Sequence, residues 1–552
     1  MSVPATLQAT IAARIDRLDP NAKRTLSAAA VVGSRFGVDL LTVLGIEPTL
    51  DELVKAELID QVRFTRQPEY VLRHPMIRAV AYESQLKSDR AQLHRRLAAA
   101  IESHEPESGD ENAALVAEHL QAADDLHAAF GWHMRAGSWS TNRDIAAAQM
   151  SWERARQVAD EVPSNDPECT AMRIAPRTLL CGLAWRRFHP DISARFEELQ
   201  QLCIEADDKA SLAIGMAGLV MEQLLHAHIP EASRLASEYM AVIESIGDPD
   251  LTIGLSLFAI VVKIEAGELT DALRWSQAVI DVAGGDSALG TFVFGSPLAG
   301  AHMLRGVARW TTGSSRWRED LDWAVELAHE ADPLSHAAIL RFKYAPAIPR
   351  GVLLADDAAL RDIETAFKFA ERSSDDVALV QLRMTLGITL VHHASADLQR
   401  GFDLLAQVRA TCIEKHFGLN VVPILDLYLA RQRVAIGDLD GAVTQLRALT
   451  ENLFKTRHIG ICDLATATLV EALLARGSQP DMGEAQAAIE RLEGLPVNYP
   501  CAVLDITVLR LRTLLAEMRG DEATYRQLRE RYRAMATSLG FEGHMKWAEA
   551  MP

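Results

Sequence analysis

From about residue 112 onward the sequence reads as helix after helix, and helix starts recur near Arg143, Asp191, Pro230, Thr270, Trp317, Ala358, Asp397, Asp440, Met482 and Asp521. The recurrence of roughly 42 residues is that of helix pairs stacked in a solenoid, because one pair cannot bury its apolar face without its neighbours. Three junctions share a local logic: Gly267-Glu268-Leu269, Gly437-Asp438-Leu439 and Gly520-Asp521-Glu522. Each places a glycine where a helix must stop in a left-handed conformation, with an acidic residue beside the next N-terminus. Apolar stripes follow at helical spacing, as in Leu439, Ala442, Leu446, Leu449 and Leu453, and in Leu269, Ala272, Leu273, Ile280 and Ala283. Composition agrees: 49% hydrophobic and 24% charged residues with 6% aromatic favour helices packed through small side chains.

The first 104 residues follow another pattern. Leu7, Ile11, Ile15 and Leu18 mark one helix opening at Pro4, Asp19-Pro20 starts a second through Leu26, Ala29 and Val32, and Thr49 begins a third. The period then changes. Gln61–Arg66 and Tyr70–Arg73 read as two short strands around a turn at Gln67-Pro68, and His74-Pro75 opens a new helix. Helices followed by one β-hairpin make a winged-helix-like domain over 1–104, with the repeat array over 112–552.

At 552 residues the chain exceeds a usual single core, and its net charge of −19 opposes wrapping a phosphate backbone. About 14 basic and 12 acidic side chains occupy the first 104 residues, so the acidity lies in the remainder and argues against nucleic acid there. The basic run Leu86–Glu102 reads as a solvated helix face. Six scattered cysteines without a CxxC pair suit a reducing compartment and argue against structural zinc. The N-terminus lacks the apolar core of a secretory signal, and the apolar stretch Leu251–Val262 is too short for a bilayer, which places the chain in the cytoplasm with no membrane partner.

Catalytic patterns are missing. There is no GxxxxGK[ST] loop and no GxSxG elbow, and Gly284–Gly300, though glycine-rich, lacks the Lys and hydroxyl that grip phosphates. The histidines, His226 and His228 or His392 and His393 among them, stand on diverging faces, so no metal site is expected. The chain reads as a non-enzyme without cofactor, binding a protein or small effector on a repeat surface whose residues the sequence does not single out.

Two segments, Val3–Phe36 (VPATLQATIAARIDRLDPNAKRTLSAAAVVGSRF) and Tyr70–Glu102 (YVLRHPMIRAVAYESQLKSDRAQLHRRLAAAIE), resemble the stretch that follows the ATPase module in STAND-type proteins. These include bacterial adenylyl cyclases with an AAA-like ATPase and tetratricopeptide-like repeats, and large LuxR-type regulators. The resemblance implies an all-α fold, a winged-helix-like domain leading into a tetratricopeptide-like α-solenoid that serves as a sensor. Gly520–Pro552 resembles the end of the cyclase branch. The P-loop and cyclase residues of that family have no counterpart here, so its activities do not carry over, and ATP or ADP enters only if a partner ATPase supplies it. The resemblance also implies that His74, with Arg73 beside it, contacts nucleotide phosphates and reports their state. Capping of the helix is the competing reading of His74. A detached or truncated C-terminal part of an adenylyl cyclase, working with a separate ATPase and cyclase, is one alternative; a winged-helix transcriptional regulator is another, weakened by the absence of a C-terminal helix-turn-helix.

Overall fold

The computed structural model describes every residue except 1–4, 64–67, 105–109, 188–191, 292, 330–332, 373–375, 395–396 and 498. The expected openings at Pro4 and Asp191 and the turn residue Gln67 lie outside the described residues. The chain folds as two compact units, Met1–Thr141 with Ala146–Pro176, and Asn142–Ile145 with Arg177–Pro552.

In the first unit, α1 (Ala5–Asp16) and α2 (Pro20–Val32) meet at Asp19, whose carboxylate accepts from the Ala22 N–H at 2.7 Å. Pro20 sits at the start of α2, where its missing N–H costs nothing. Next come β1 (Arg35–Gly37), α3 (Val38–Val43), α4 (Leu50–Lys55), β2 (Ile59–Arg63), β3 (Glu69–Leu72), α5 (Pro75–Glu83) and α6 (Lys87–His104). The expected hairpin forms, but it is part of a three-stranded antiparallel sheet in the order β1-β3-β2, with Phe36 opposite Tyr70 and Ile59 opposite Leu72. At three residues β1 is too short to show a period of two, and the sequence reading missed it. Leu26, Phe36, Leu41, Leu53, Leu58 and Ile59 fill the core between sheet and helices. Several arginines of the basic run do not project freely: Arg90 donates to the Tyr82 carbonyl and Arg95 to that of Ala123. The helices Ala113–Ala122 and Leu126–Ser140 also belong to this unit.

The second unit is a helical-repeat solenoid. Described helix starts fall within about three residues of those expected, among them Ile229, Leu269, Trp317, Asp357, Leu398, Leu439, Gln479 and Glu522. Gly267, Gly437 and Gly520 all take positive φ, at 75°, 87° and 70°, so a side chain there would be strained. Asp438 and Asp521 cap the following helices through the Gly441 and Thr524 N–H groups. Glu268 differs: its carboxylate is taken by the buried Lys263 at 2.5 Å and by Ser233 at 2.6 Å, tying two pairs together.

Helices alternate between layers. Pro249–Glu265, Pro297–Thr312, Pro333–Tyr344 and Asp376–His392 each touch the next in this series, forming an inner layer. Pro249–Glu265 is buried at nearly every position from Ile253 to Lys263, as a helix covered all round must be, whereas the outer helix Asp357–Ala370 buries Ala359, Ile363, Ala366 and Ala370 on one stripe. Late repeats then pack onto early ones. Trp317 Nε1 donates to the Leu539 carbonyl at 3.2 Å, Arg318 to Glu542 at 2.8 Å, and the His544 N–H to the Gly351 carbonyl at 3.0 Å. At Gly543 the backbones come so close that a Cβ would lie 2.6 Å from Gly351 Cα. Within this unit the last helices thus pack against the middle of the array. Among the described residues no helix is long and apolar enough to cross a membrane.

Candidate functional site

Between the packed helices lie two open cavities. One cavity, offering about 100 Å³ to the centres of water-sized molecules, is walled by Trp185, Leu225, Phe258, Phe294 and Leu382; a second, of about 150 Å³, by Trp310, Ile424, Ile461, Tyr499 and Leu504. A single ordered water needs about 10–15 Å³ on this measure, so both hold far more. Val261, Glu265, Arg341, Phe342 and Asn420 line both, and the two spaces share this wall.

The shared wall carries two charged side chains and an amide, Glu265, Arg341 and Asn420. Arg341, on Pro333–Tyr344, is 8% exposed, and its guanidinium makes no hydrogen bond to the described residues. Its Nη2 stands 3.8 Å from Glu265 Oε1, and its Cζ lies 4.1 Å from the centre of the Phe342 ring. On the other side of Glu265, His458 Nε2 stands 3.9 Å from Oε2, and that nitrogen also lacks a hydrogen-bond partner. Asn420 is buried with Oδ1 unpaired. Burial alone would raise the Glu265 carboxyl, but His458 and the charges of Arg341 and Arg350 bring it below the ordinary carboxylate value. Burial likewise pulls the Arg341 guanidinium below its usual value, against the opposing charge of Glu265.

Arg350, nine positions further along the chain and lining the second cavity, shows what a completed pair looks like. It grips Asp463 at 2.7 and 2.9 Å and the Gly460 and Pro346 carbonyls. Away from the cavities, buried Asp320 likewise receives Arg305 at 2.6 Å and Arg309 at 2.7 Å. Arg341 is thus a charged group of the shared wall whose Nε has no hydrogen-bond partner, where a guanidinium's five N–H donors ordinarily find acceptors.

The sequence-derived candidates lie in the other unit. His74 is the N-cap of α5: its Nδ1 accepts from the Met76 N–H at 3.1 Å, so the neutral ring carries its proton on Nε2. Arg73 is held bidentately by Asp60 at 3.0–3.2 Å and lies 3.4 Å from Glu57. The two are exposed neighbours on the chain, with capping geometry at one and a carboxylate partner at the other. Of Gly284–Gly300, the last four residues already belong to the helix Pro297–Thr312, and the described residues before them connect two repeats: a Cβ at Gly290 would meet the Gly254 nitrogen at 2.5 Å, and Phe294 and Gly295 contribute to the first cavity. Among the described residues no group of three His, Cys, Asp or Glu could hold a metal ion. Cys501 borders the second cavity, with its thiol pushed up to about 11 by burial and hence protonated at neutral pH.

The cavity residues escaped the sequence reading because positions 265, 341, 420 and 458 meet only when the helices pack. A signal was present: Glu265 and Arg341 are charges set at the ends of apolar inner helices, in VVKIEAG and AAILRFKY.

No family model matches the chain. An uncharacterised protein of Rhizobium meliloti (strain 1021) is 24% identical over 170 residues, which span 29% of this chain and 16% of that protein's length. Among solved structures, a signal transduction ATPase with numerous domains carrying a tetratricopeptide repeat sensor, from Pyrococcus horikoshii, aligns over 99% of this chain and 68% of its own at 12% identity and a TM-score of 0.30. A Rap protein complexed with competence and sporulation factor aligns over 76% and 99% at 10% identity and a TM-score of 0.33. The human IFIT1 dimer with m7Gppp-AAAA aligns over 81% and 90% at 13% identity and a TM-score of 0.25. At such scores these likenesses carry no functional argument, and the repeat architecture rests on the chain's own geometry.

Proposed function

We propose that this chain is a non-catalytic regulatory or scaffold protein whose solenoid binds an effector in these cavities. The observation that carries the reading is Arg341: a buried guanidinium whose Nε has no hydrogen-bond partner and whose nearest carboxylate, Glu265, stands 3.8 Å away, at the wall common to the two cavities. Leaving such a group unsatisfied costs about 1–3 kcal/mol or more, a cost that a bound partner relieves. Apolar walls with a few convergent polar groups are the usual make-up of a ligand site.

The experiment is capture from cell extract. The purified chain is incubated, desalted and denatured, and the released compounds are identified by mass spectrometry beside those from Val261→Phe, which fills the shared wall. A compound enriched on the wild type and lost from the variant is the expected result; identical profiles on both would overturn the reading.

A finer form of the proposal rests on the resemblance of Val3–Phe36 and Tyr70–Glu102 to STAND-type proteins. In it the first unit is a winged-helix-like adaptor, the chain acts with a P-loop ATPase in signal transduction, and His74 and Arg73 face the nucleotide that ATPase presents. Support comes from the order of the three strands and from the α5 N-terminus behind His74, which favours an anion. ATP-dependent recovery of such an ATPase, reduced by His74→Ala, is the expected result; recovery indifferent to nucleotide would contradict it.

A further inference from the structure

The open groups at the shared wall define the chemistry of what they receive. Arg341 seeks an acceptor, Asn420 Oδ1 seeks a donor, and Glu265 and His458 face each other across 3.9 Å without a hydrogen bond. Arg341 and Asn420 are more than nine-tenths buried.

Charge at this wall is already balanced. Glu265 lies 3.8 Å from Arg341 at the wall itself, and in the second cavity Arg350 and Asp463 neutralise one another at contact distance. A ligand carboxylate placed on Arg341 therefore comes close to Glu265, and a ligand ammonium placed on Glu265 comes close to Arg341. Either charge gains little net attraction while losing its hydration. An uncharged group with both a donor and an acceptor meets neither penalty. An amide carries the two together: its carbonyl accepts from Arg341, and its N–H donates to Asn420. Beyond the wall, apolar and aromatic side chains make up most of both spaces, with Trp185, Phe258 and Phe294 beside the polar Arg186 and Gln381 in one, and Trp310, Ile424 and Leu504 beside Thr311 and Tyr499 in the other.

We propose that the cavities take an uncharged amide borne on an apolar chain, read at Arg341 and Asn420, whether supplied as a lipid-like amide or as an apolar peptide. This rests on the cavity being a binding site, and the test separates the two. Dissociation constants for the full chain are measured by calorimetry for octanamide, octanoate, octylammonium and N-acetyl-leucyl-leucinamide, on the wild type, Asn420→Leu, Arg341→Met and Val261→Phe. Octanamide or the dipeptide amide is expected to bind about tenfold or more tightly than the acid and the amine, with the better of the two telling the source. Asn420→Leu and Arg341→Met should each erase that preference, and circular dichroism confirms that the variants fold. Equal binding of all probes, blocked by Val261→Phe, would overturn the amide inference and leave the cavity reading standing. Tighter binding of acid or amine would overturn it too. If no probe binds, the amide inference falls, and extract capture alone then decides the cavity reading.

Discussion

Arg341→Met combined with Glu265→Gln distinguishes a charge pair kept for binding from one kept for stability. The two charges stand 3.8 Å apart, which in a medium of effective dielectric near 20 gives a gross attraction of about 4 kcal/mol. Against this stands the burial of both ions, several kcal/mol each, with no hydrogen bond from the guanidinium to offset it. The sum is zero or unfavourable. Replacing both by neutral side chains of similar length is therefore expected to leave stability unchanged or raise it by about 1–4 kcal/mol. Arg341→Met alone strands Glu265 beside His458 and should destabilise, so the cycle yields a coupling of about 1–3 kcal/mol. The assay is urea unfolding followed by tryptophan fluorescence, with midpoints compared at constant slope. A double variant that loses about 3 kcal/mol or more would refute the reasoning, because Arg341 would then be a structural ion pair.

Asp320→Asn is the converse case: it removes the negative charge and one of the two oxygens that accept from Arg305 and Arg309 at a buried point, and is expected to cost about 3–5 kcal/mol in the same assay. Burial would raise the Asp320 carboxyl, but His302, Arg305 and Arg309 bring it below its ordinary value; its contribution is thus complete above the unfolded carboxylate pKa and lost as pH falls below about 4. In the first unit, His94 lies 3.0 Å from His119 and is lowered to about 4, by burial first and by the charge of His119 second. The unfolded chain then binds more protons than the folded one between about pH 6.5 and 4, so stability should fall on acidification through that window, and His94→Gln should flatten the pH dependence of unfolding. Gly543→Ala places a Cβ against the Gly351 backbone and should loosen this packing, destabilising by more than about 1 kcal/mol and enlarging the radius of gyration in X-ray scattering.

The repeat was legible in the sequence because its signals are local. Gly267, Gly437 and Gly520 stop helices by backbone conformation, and the stripes at Leu269 and Leu439 follow from the helical period. His74-Pro75 likewise announced α5, since an N-cap and the proline after it act within one turn. Strand β1 was not legible, because its three residues are held by pairing with β3 rather than by any pattern of their own. The cavity wall was hidden for a stronger reason. Glu265 and Arg341 sit 76 positions apart by their numbers, and they meet through the packing of one inner helix on another and the return of the late repeats. A charge at the end of an apolar helix can be read from sequence; which charge it faces cannot.

Hydrogen–deuterium exchange of the chain with and without the compound captured from extract places the binding site. Slowed exchange in Pro249–Glu265 and Pro333–Tyr344, with outer helices such as Asp357–Ala370 unchanged, is the result expected of an effector held inside the solenoid. Protection confined to outer helices, or to Met1–Thr141, would contradict it.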